Sequence, residues 1–106
     1  MKKIECFIRE EKLKITIDSL LVAGIPGVSV SRVESFGMQR AGPEPLLRPK
    51  VKIEIYTADE EVDTLVKTLI IAGGAGQMGG DGKIAVIDVE ELVRVRTGER
   101  NREALY

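Results

Sequence analysis

Histidine is absent from this 106-residue sequence, and with it go the commonest general base, the usual catalytic triads and the usual transition-metal ligand. Cysteine occurs once, at Cys6, so no disulfide can close within the chain and no zinc cluster of the Cys₄ or Cys₂His₂ kind can form. A cytoplasmic location is the expectation for such a sequence. Charge of one sign is not in excess either: 16 Lys and Arg face 17 Asp and Glu, for a net charge of −1. Neutralising the phosphates of a nucleic acid needs a basic surplus, so no nucleic-acid partner is expected. No stretch approaches the roughly eighteen uninterrupted apolar residues of a membrane span, and Glu5 directly after Lys2 and Lys3 argues against an export signal.

What is present is the composition of one folded domain over residues 1–106, 43% apolar and 31% charged. Residues 2–9 alternate, with Ile4, Cys6 and Ile8 on one face of a strand. Over 11–23 the period changes: Leu13, Ile17, Leu20 and Leu21 form one helical stripe, and Gly24 stands where a left-handed terminal residue is wanted. Pro26-Gly27 turns the chain into a second strand over 28–36, rich in Val and Ser. Residues 37–49 hold Gly37, Gly42, Pro43, Pro45 and Pro49, which reads as a loop. A third strand follows over 50–57, with Val51, Ile53 and Ile55 on one face and Lys52, Glu54 and Tyr56 on the other.

Thr57 and Glu60 have the spacing of a capping box, ahead of a helix that carries Val62, Leu65, Val66, Leu69 and Ile70. Six of the ten residues 73–82 are glycine. A fourth strand is expected over 83–88 and a short extra one over 92–96. Strand, helix, strand, strand, helix, strand is the ferredoxin-like βαββαβ order, an α+β fold whose four-stranded antiparallel sheet carries both helices on one face. The bare face of so small a sheet is most readily covered by copies of the same chain, so a homo-oligomer is expected.

Gly74-Ala75-Gly76-Gln77-Met78-Gly79 matches G-x-G-x-x-G, but it follows a helix and precedes a strand, the reverse of the dinucleotide fingerprint. Gly82-Lys83 is followed by Ile84 where a phosphate loop places Ser or Thr. Two readings stay open: a nest of backbone N–H groups beside the Lys83 cation, or a flexible connection. Arg94 and Arg96, at i and i+2 of a strand, suit either a polyphosphate or a solvated edge. Glu54 and Tyr56 share the face away from the core, which fits solvent or a subunit interface.

The sequence resembles the PII nitrogen-regulatory signalling proteins. The resemblance is carried by Met1-Lys2-Lys3-Ile4-Glu5, Gly37 and Gln39, Pro49-Lys50-Val51-Lys52-Ile53-Glu54-Ile55, Gly80-Asp81-Gly82-Lys83-Ile84 and Arg94-Val95-Arg96-Thr97-Gly98-Glu99-Arg100. It implies a cytoplasmic homotrimer that binds ATP or ADP, with AMP a further candidate, in clefts between subunits. Gly80, Asp81, Gly82 and Lys83 then correspond to the phosphate loop, Gly37 to a further nucleotide-binding position, and Arg94 and Arg96 to a neighbour's paired arginines. Glu54, Ser29 and Phe7 correspond to the adenine pocket. Gln39 corresponds to a magnesium-side ligand and Lys50 to the residue that meets 2-oxoglutarate or a similar small anion.

The resemblance further implies regulation of a partner protein, a transporter or a metabolic enzyme, through the 37–49 loop. That T-loop is shorter here than in typical members and has no tyrosine between Gly37 and Lys50, so its uridylylation is excluded chemically. Ser35, Met38, Gln77 and Ala85 also depart from the family pattern, marking a divergent member. A non-enzymatic role is expected. Two rivals are a small nucleotide hydrolase with Asp81 or Glu54 as base, and a trimeric adaptor with a decayed ligand site.

Overall fold

Two strands with strict alternation of apolar and polar residues fix the middle of the molecule. The computed structural model describes residues 1–36, 46–74 and 82–106. In β1 (Lys2–Ile8) the buried residues are Ile4, Cys6 and Ile8. The third strand of the chain, β3 (Arg48–Thr57), buries Val51, Ile53, Ile55 and Thr57. These strands run antiparallel with Ile4 opposite Ile55, Cys6 opposite Ile53 and Ile8 opposite Val51, so both apolar rows fall on one face. The outer positions are taken by β2 (Ser29–Ser35) beside β3 and β4 (Ile84–Asp88) beside β1, all antiparallel, in the order β2-β3-β1-β4.

Helices α1 (Leu13–Val22) and α2 (Val62–Gly73) cover the apolar face. Leu20, Leu65 and Leu69 join the strand residues in one cluster, with Leu13, Ile17, Val62 and Val66 packed against it. Each fully buried Leu or Ile contributes about 1.5–3 kcal/mol, so this layer holds the helices to the sheet. The expected ferredoxin-like α+β fold is therefore present, and Gly24 adopts φ +83° just past α1, as its position required. Among the described residues no helix is long and apolar enough to cross a membrane.

Several local expectations are corrected. The extra strand over 92–96 is reduced to a single bridge between Val93 and Arg100, because Gly98 at φ +75° folds the chain back at once. Arg48 and Pro49 belong to β3, not to a loop. Proline is tolerated there because the pairing of β3 with β1 begins only at Val51, two residues beyond Pro49. The capping box does not form. Thr57 is still in β3, opposite Lys2, its hydroxyl lies 3.4 Å from Glu61 Oε2, and the chain enters α2 through a 3₁₀ turn at Asp59–Glu61. Leu21 turns outward, and the inward position next to Leu20 falls to Thr16, whose hydroxyl donates to the Lys12 carbonyl at 2.8 Å. The expected glycine-rich phosphate loop at 73–82 and T-loop at 37–49 fall largely on residues 75–81 and 37–45, which lie outside the described residues.

Gly82 shows the tightest backbone approach. It has φ +98°, and a Cβ built on it would lie 1.6 Å from the Phe7 carbonyl oxygen. The contact brings the next residue into register, and the Phe7 N–H donates to the Lys83 carbonyl at 2.9 Å. Gly82→Ala is expected to destabilise the fold by about 2 kcal/mol or more, since both the handedness and the space are wrong for a side chain. Gly27→Ala, with nothing within 4 Å of its added carbon, should stay within about 0.5 kcal/mol of the parent. Denaturant midpoints measured at one protein concentration check both.

Candidate functional site

The face of the sheet away from the helices carries charge where the other face carries the core. Glu5 on β1 and Glu54 on β3 stand directly opposite each other, a like-charge pair that would repel if left alone. Lys3 resolves it: its Nζ lies 2.7 Å from Glu5 Oε1 and 2.9 Å from Glu54 Oε2. Lys52 Nζ approaches the other Glu54 oxygen at 3.5 Å. The hydrogen bond from Lys3, with Lys52 adding a weaker charge contribution, holds the Glu54 carboxyl below the usual carboxylate range, while contacts with Glu5 and then Glu54 push the Lys3 ammonium up. Glu54 is thus kept as a fixed anion and is poorly suited to act as a base.

The described site residues divide between two recesses. Ser29, exposed at the start of β2, pairs with Glu54, and both line a cleft of about 380 Å³. Arg94 lines it too, with Pro26, Gly27, Tyr56 and the chain's final residues. Those final residues come back over this end because the 3₁₀ turn Asn101–Leu105 is tied down. Asn101 Oδ1 accepts from the Leu92 N–H at 3.3 Å, and Arg102 pairs with Glu60 at 2.6 Å.

Phe7 lines a different recess, a groove of about 550 Å³ shared with Gly82 and Lys83. Phe7 and the Ser29–Glu54 pair thus line different recesses, while the register, with Glu5 opposite Glu54 and Phe7 opposite Lys52, keeps them on one sheet face. Arg96 sits exposed in the turn over 95–97, so it and Arg94 are not i and i+2 of a strand, and Arg96 lines neither recess. Lys50 lies half-buried on β3 opposite Val33. Gly37, Gln39, Gly80 and Asp81 lie outside the described residues.

Sequence reasoning missed the Lys3 bridge and the contribution of Ala104, Leu105 and Tyr106 to the cleft. The alternation of Lys3, Glu5 and Glu54 on one face was the available signal for the first. Nothing in the local pattern signals the second, which depends on the fold bringing the last residues beside Ser29 and Glu54. Cys6 is no nucleophile: it is 1% exposed, and burial pushes its thiol up to about 11. Among the described residues no three His, Cys, Asp or Glu side chains gather as metal ligands.

The Lys3 bridge has a pH signature. A carboxyl held low in the folded state contributes stability above its unfolded pKa and loses it as the pH falls through the folded value. Glu54 should therefore titrate below ordinary glutamate when followed by its side-chain carboxyl carbon resonance. Lys3→Met should move that titration back toward the ordinary value. An unchanged Glu54 titration in the variant would show that Lys3 is not the cause.

Comparison with known proteins supplies the family. The family described as Nitrogen regulatory protein P-II matches residues 1–99. The chain is 42% identical to the Nitrogen regulatory protein P-II of Pasteurella multocida (strain Pm70), over 99% of this chain and the whole of that protein. The same identity and coverage relate it to Nitrogen regulatory protein P-II 1 of Escherichia coli (strain K12) and to the P-II protein of Microchaete diplosiphon. The aligned span of 113 positions exceeds the 106 residues here, so the relatives carry positions with no counterpart in this chain. With a family match along almost its whole length and full-length relatives at this identity, the chain belongs to the P-II nitrogen regulatory protein family.

Proposed function

We propose that this protein is a cytoplasmic signalling trimer, not an enzyme, that binds ATP or ADP in clefts between its copies and regulates a partner through the 37–49 segment. The observation that carries the reading is the separation of the candidate residues into two recesses on one chain, Phe7, Gly82 and Lys83 in one and Ser29, Glu54 and Arg94 in the other. Each recess is half of a site. A neighbouring copy that sets its Arg94 recess against the Lys83 groove makes the site whole, with the charged sheet faces turned toward one another.

The chemistry of each half fits its share of a nucleotide. Lys83 supplies an exposed cation next to a glycine whose missing side chain lets backbone come close. The opposite cleft pairs an apolar wall of Val28, Leu92 and Val93 with the Ser29 hydroxyl and the Glu54 carboxylate, which suits an adenine base. AMP fits the same base pocket with fewer phosphate contacts. Gly37, Gly80 and Asp81 complete the phosphate side in this reading, and Arg96 joins from its exposed turn. Magnesium and a small anionic effector such as 2-oxoglutarate would be met by Gln39 and Lys50. The partner is a transporter or a metabolic enzyme.

Calorimetry with ATP and ADP is the direct test, with binding expected in the micromolar range and a melting temperature that rises with nucleotide by mass action. Lys83→Ala and Arg94→Ala should each weaken binding by tenfold or more, about 1.4 kcal/mol per tenfold. Trimers assembled from a mixture of the two variants contain an intact cleft wherever an unmodified Lys83 meets an unmodified Arg94, so mixing should restore part of the binding. No binding at millimolar nucleotide would overturn the reading, and no recovery on mixing would place the site within one chain.

A further inference from the structure

Arg94 is held in an unusual way for a residue that lines a cleft. Its side chain is 31% exposed, yet its Nε is the one buried side-chain nitrogen or oxygen, among the described residues, without a hydrogen-bond partner. The nearest anion is Glu99, whose Oε1 lies 3.6 Å from that Nε, within ion-pair reach and beyond a hydrogen bond. Arg94 Nη2 donates to the Ala104 carbonyl at 3.5 Å, a long contact. Glu99 is itself aimed. The Thr97 hydroxyl donates to Glu99 Oε1 at 2.8 Å, and the Glu99 N–H donates back to that hydroxyl at 3.2 Å.

The backbone fixes the spacing. Arg94 N–H donates to the Glu99 carbonyl at 2.8 Å and Gly98 N–H donates to the Arg94 carbonyl at 2.8 Å. Gly98 adopts φ +75° in open space, so glycine is needed there for handedness alone.

We propose that Glu99, aimed by Thr97, is a positioning residue for the phosphate-binding arginine: it holds the Nε edge of Arg94 so that the outer edge of the guanidinium faces the cleft. The inference rests on the nucleotide-binding reading of Arg94. A guanidinium carries five N–H donors in a rigid fork, and a carboxylate on one edge with a carbonyl on a second leaves the rest for a bidentate grip on phosphate. Competition between Glu99 and phosphate for the same charge is the opposite possibility. Positioning is favoured because the pair, with side chains 31% and 44% exposed, is too screened to hold the guanidinium against a phosphate, while even a weak bias toward one orientation reduces the freedom lost when a phosphate arrives.

The test uses the full-length protein, with ATP as the probe. Glu99→Gln and Thr97→Val should each weaken ATP binding by roughly fivefold, and Thr97→Ser, which keeps the hydroxyl, should bind as the parent does. In an Arg94→Ala background Glu99→Gln should have no further effect, because the residue acts only through Arg94. In the protein without nucleotide, the Arg94 Nε–H resonance should shift in Glu99→Gln, because the nearby carboxylate charge 3.6 Å from Nε is removed. This readout reports on the clamp even where binding changes are small.

Tighter ATP binding by Glu99→Gln would overturn positioning in favour of competition. Unchanged binding with an unchanged Nε–H signal would overturn it outright. A parent that binds no ATP while the Nε–H behaves as expected would instead bring down the nucleotide reading, and with it the role assigned to Glu99.

Discussion

The pleat of the two central strands is the constraint from which the rest follows. In β1 and β3 every second residue faces the helices, and a slip of one position in either strand would carry Lys3, Glu5 or Glu54 into the core and Ile4 or Ile53 out of it. The buried rows of the sheet leave both helices on one side. The same arithmetic gathers the charges on the other, where two carboxylates meet across the ladder and a lysine bridges them. One period thus creates both the layer that stabilises the chain and the polar surface on which its candidate chemistry lies.

Backbone handedness then places the cations. Gly82 and Gly98 take left-handed conformations, and each sits near a positive side chain, Lys83 in the first case and Arg94 in the second. Neither cation is located by packing of its own side chain into the core. The first is set by the close pass of Gly82 over Phe7, and the second by the turn that returns Glu99 to Arg94. The two recesses are therefore defined by turns at the ends of strands, while the sheet supplies the rigid floor between them.

Much of this was legible in the sequence because it rests on periods. Ile4, Cys6 and Ile8 announce β1, and Val51, Ile53 and Ile55 announce β3, since alternation over a strand depends only on which face is buried. The βαββαβ order followed from the same periods, while the candidate cations came from the glycine-rich segment beside Lys83, the Arg94-Val95-Arg96 spacing and the family resemblance. What was not legible depends on contacts distant along the chain. Thr57 has the spacing of a helix cap, but it is buried as the last residue of β3, a position set by its partner Lys2. Leu21 fits a helical stripe, yet it is exposed while Thr16 is buried, facing Gly73 of α2, where an added Cβ would lie 3.6 Å from the Thr16 hydroxyl. Arg94 and Arg96 looked like strand neighbours until Gly98 turned the chain between them and Glu99.

The seclusion of the lone thiol has a practical side. Cys6 lies under the helices with its sulfur desolvated, so the native molecule offers thiol reagents no ready target. Val95, by contrast, is wholly exposed at the rim of the Arg94 turn. A cysteine installed there would be the sole reactive handle, and a dye or spin label attached to it would watch that turn without any need to remove the native sulfur from the core.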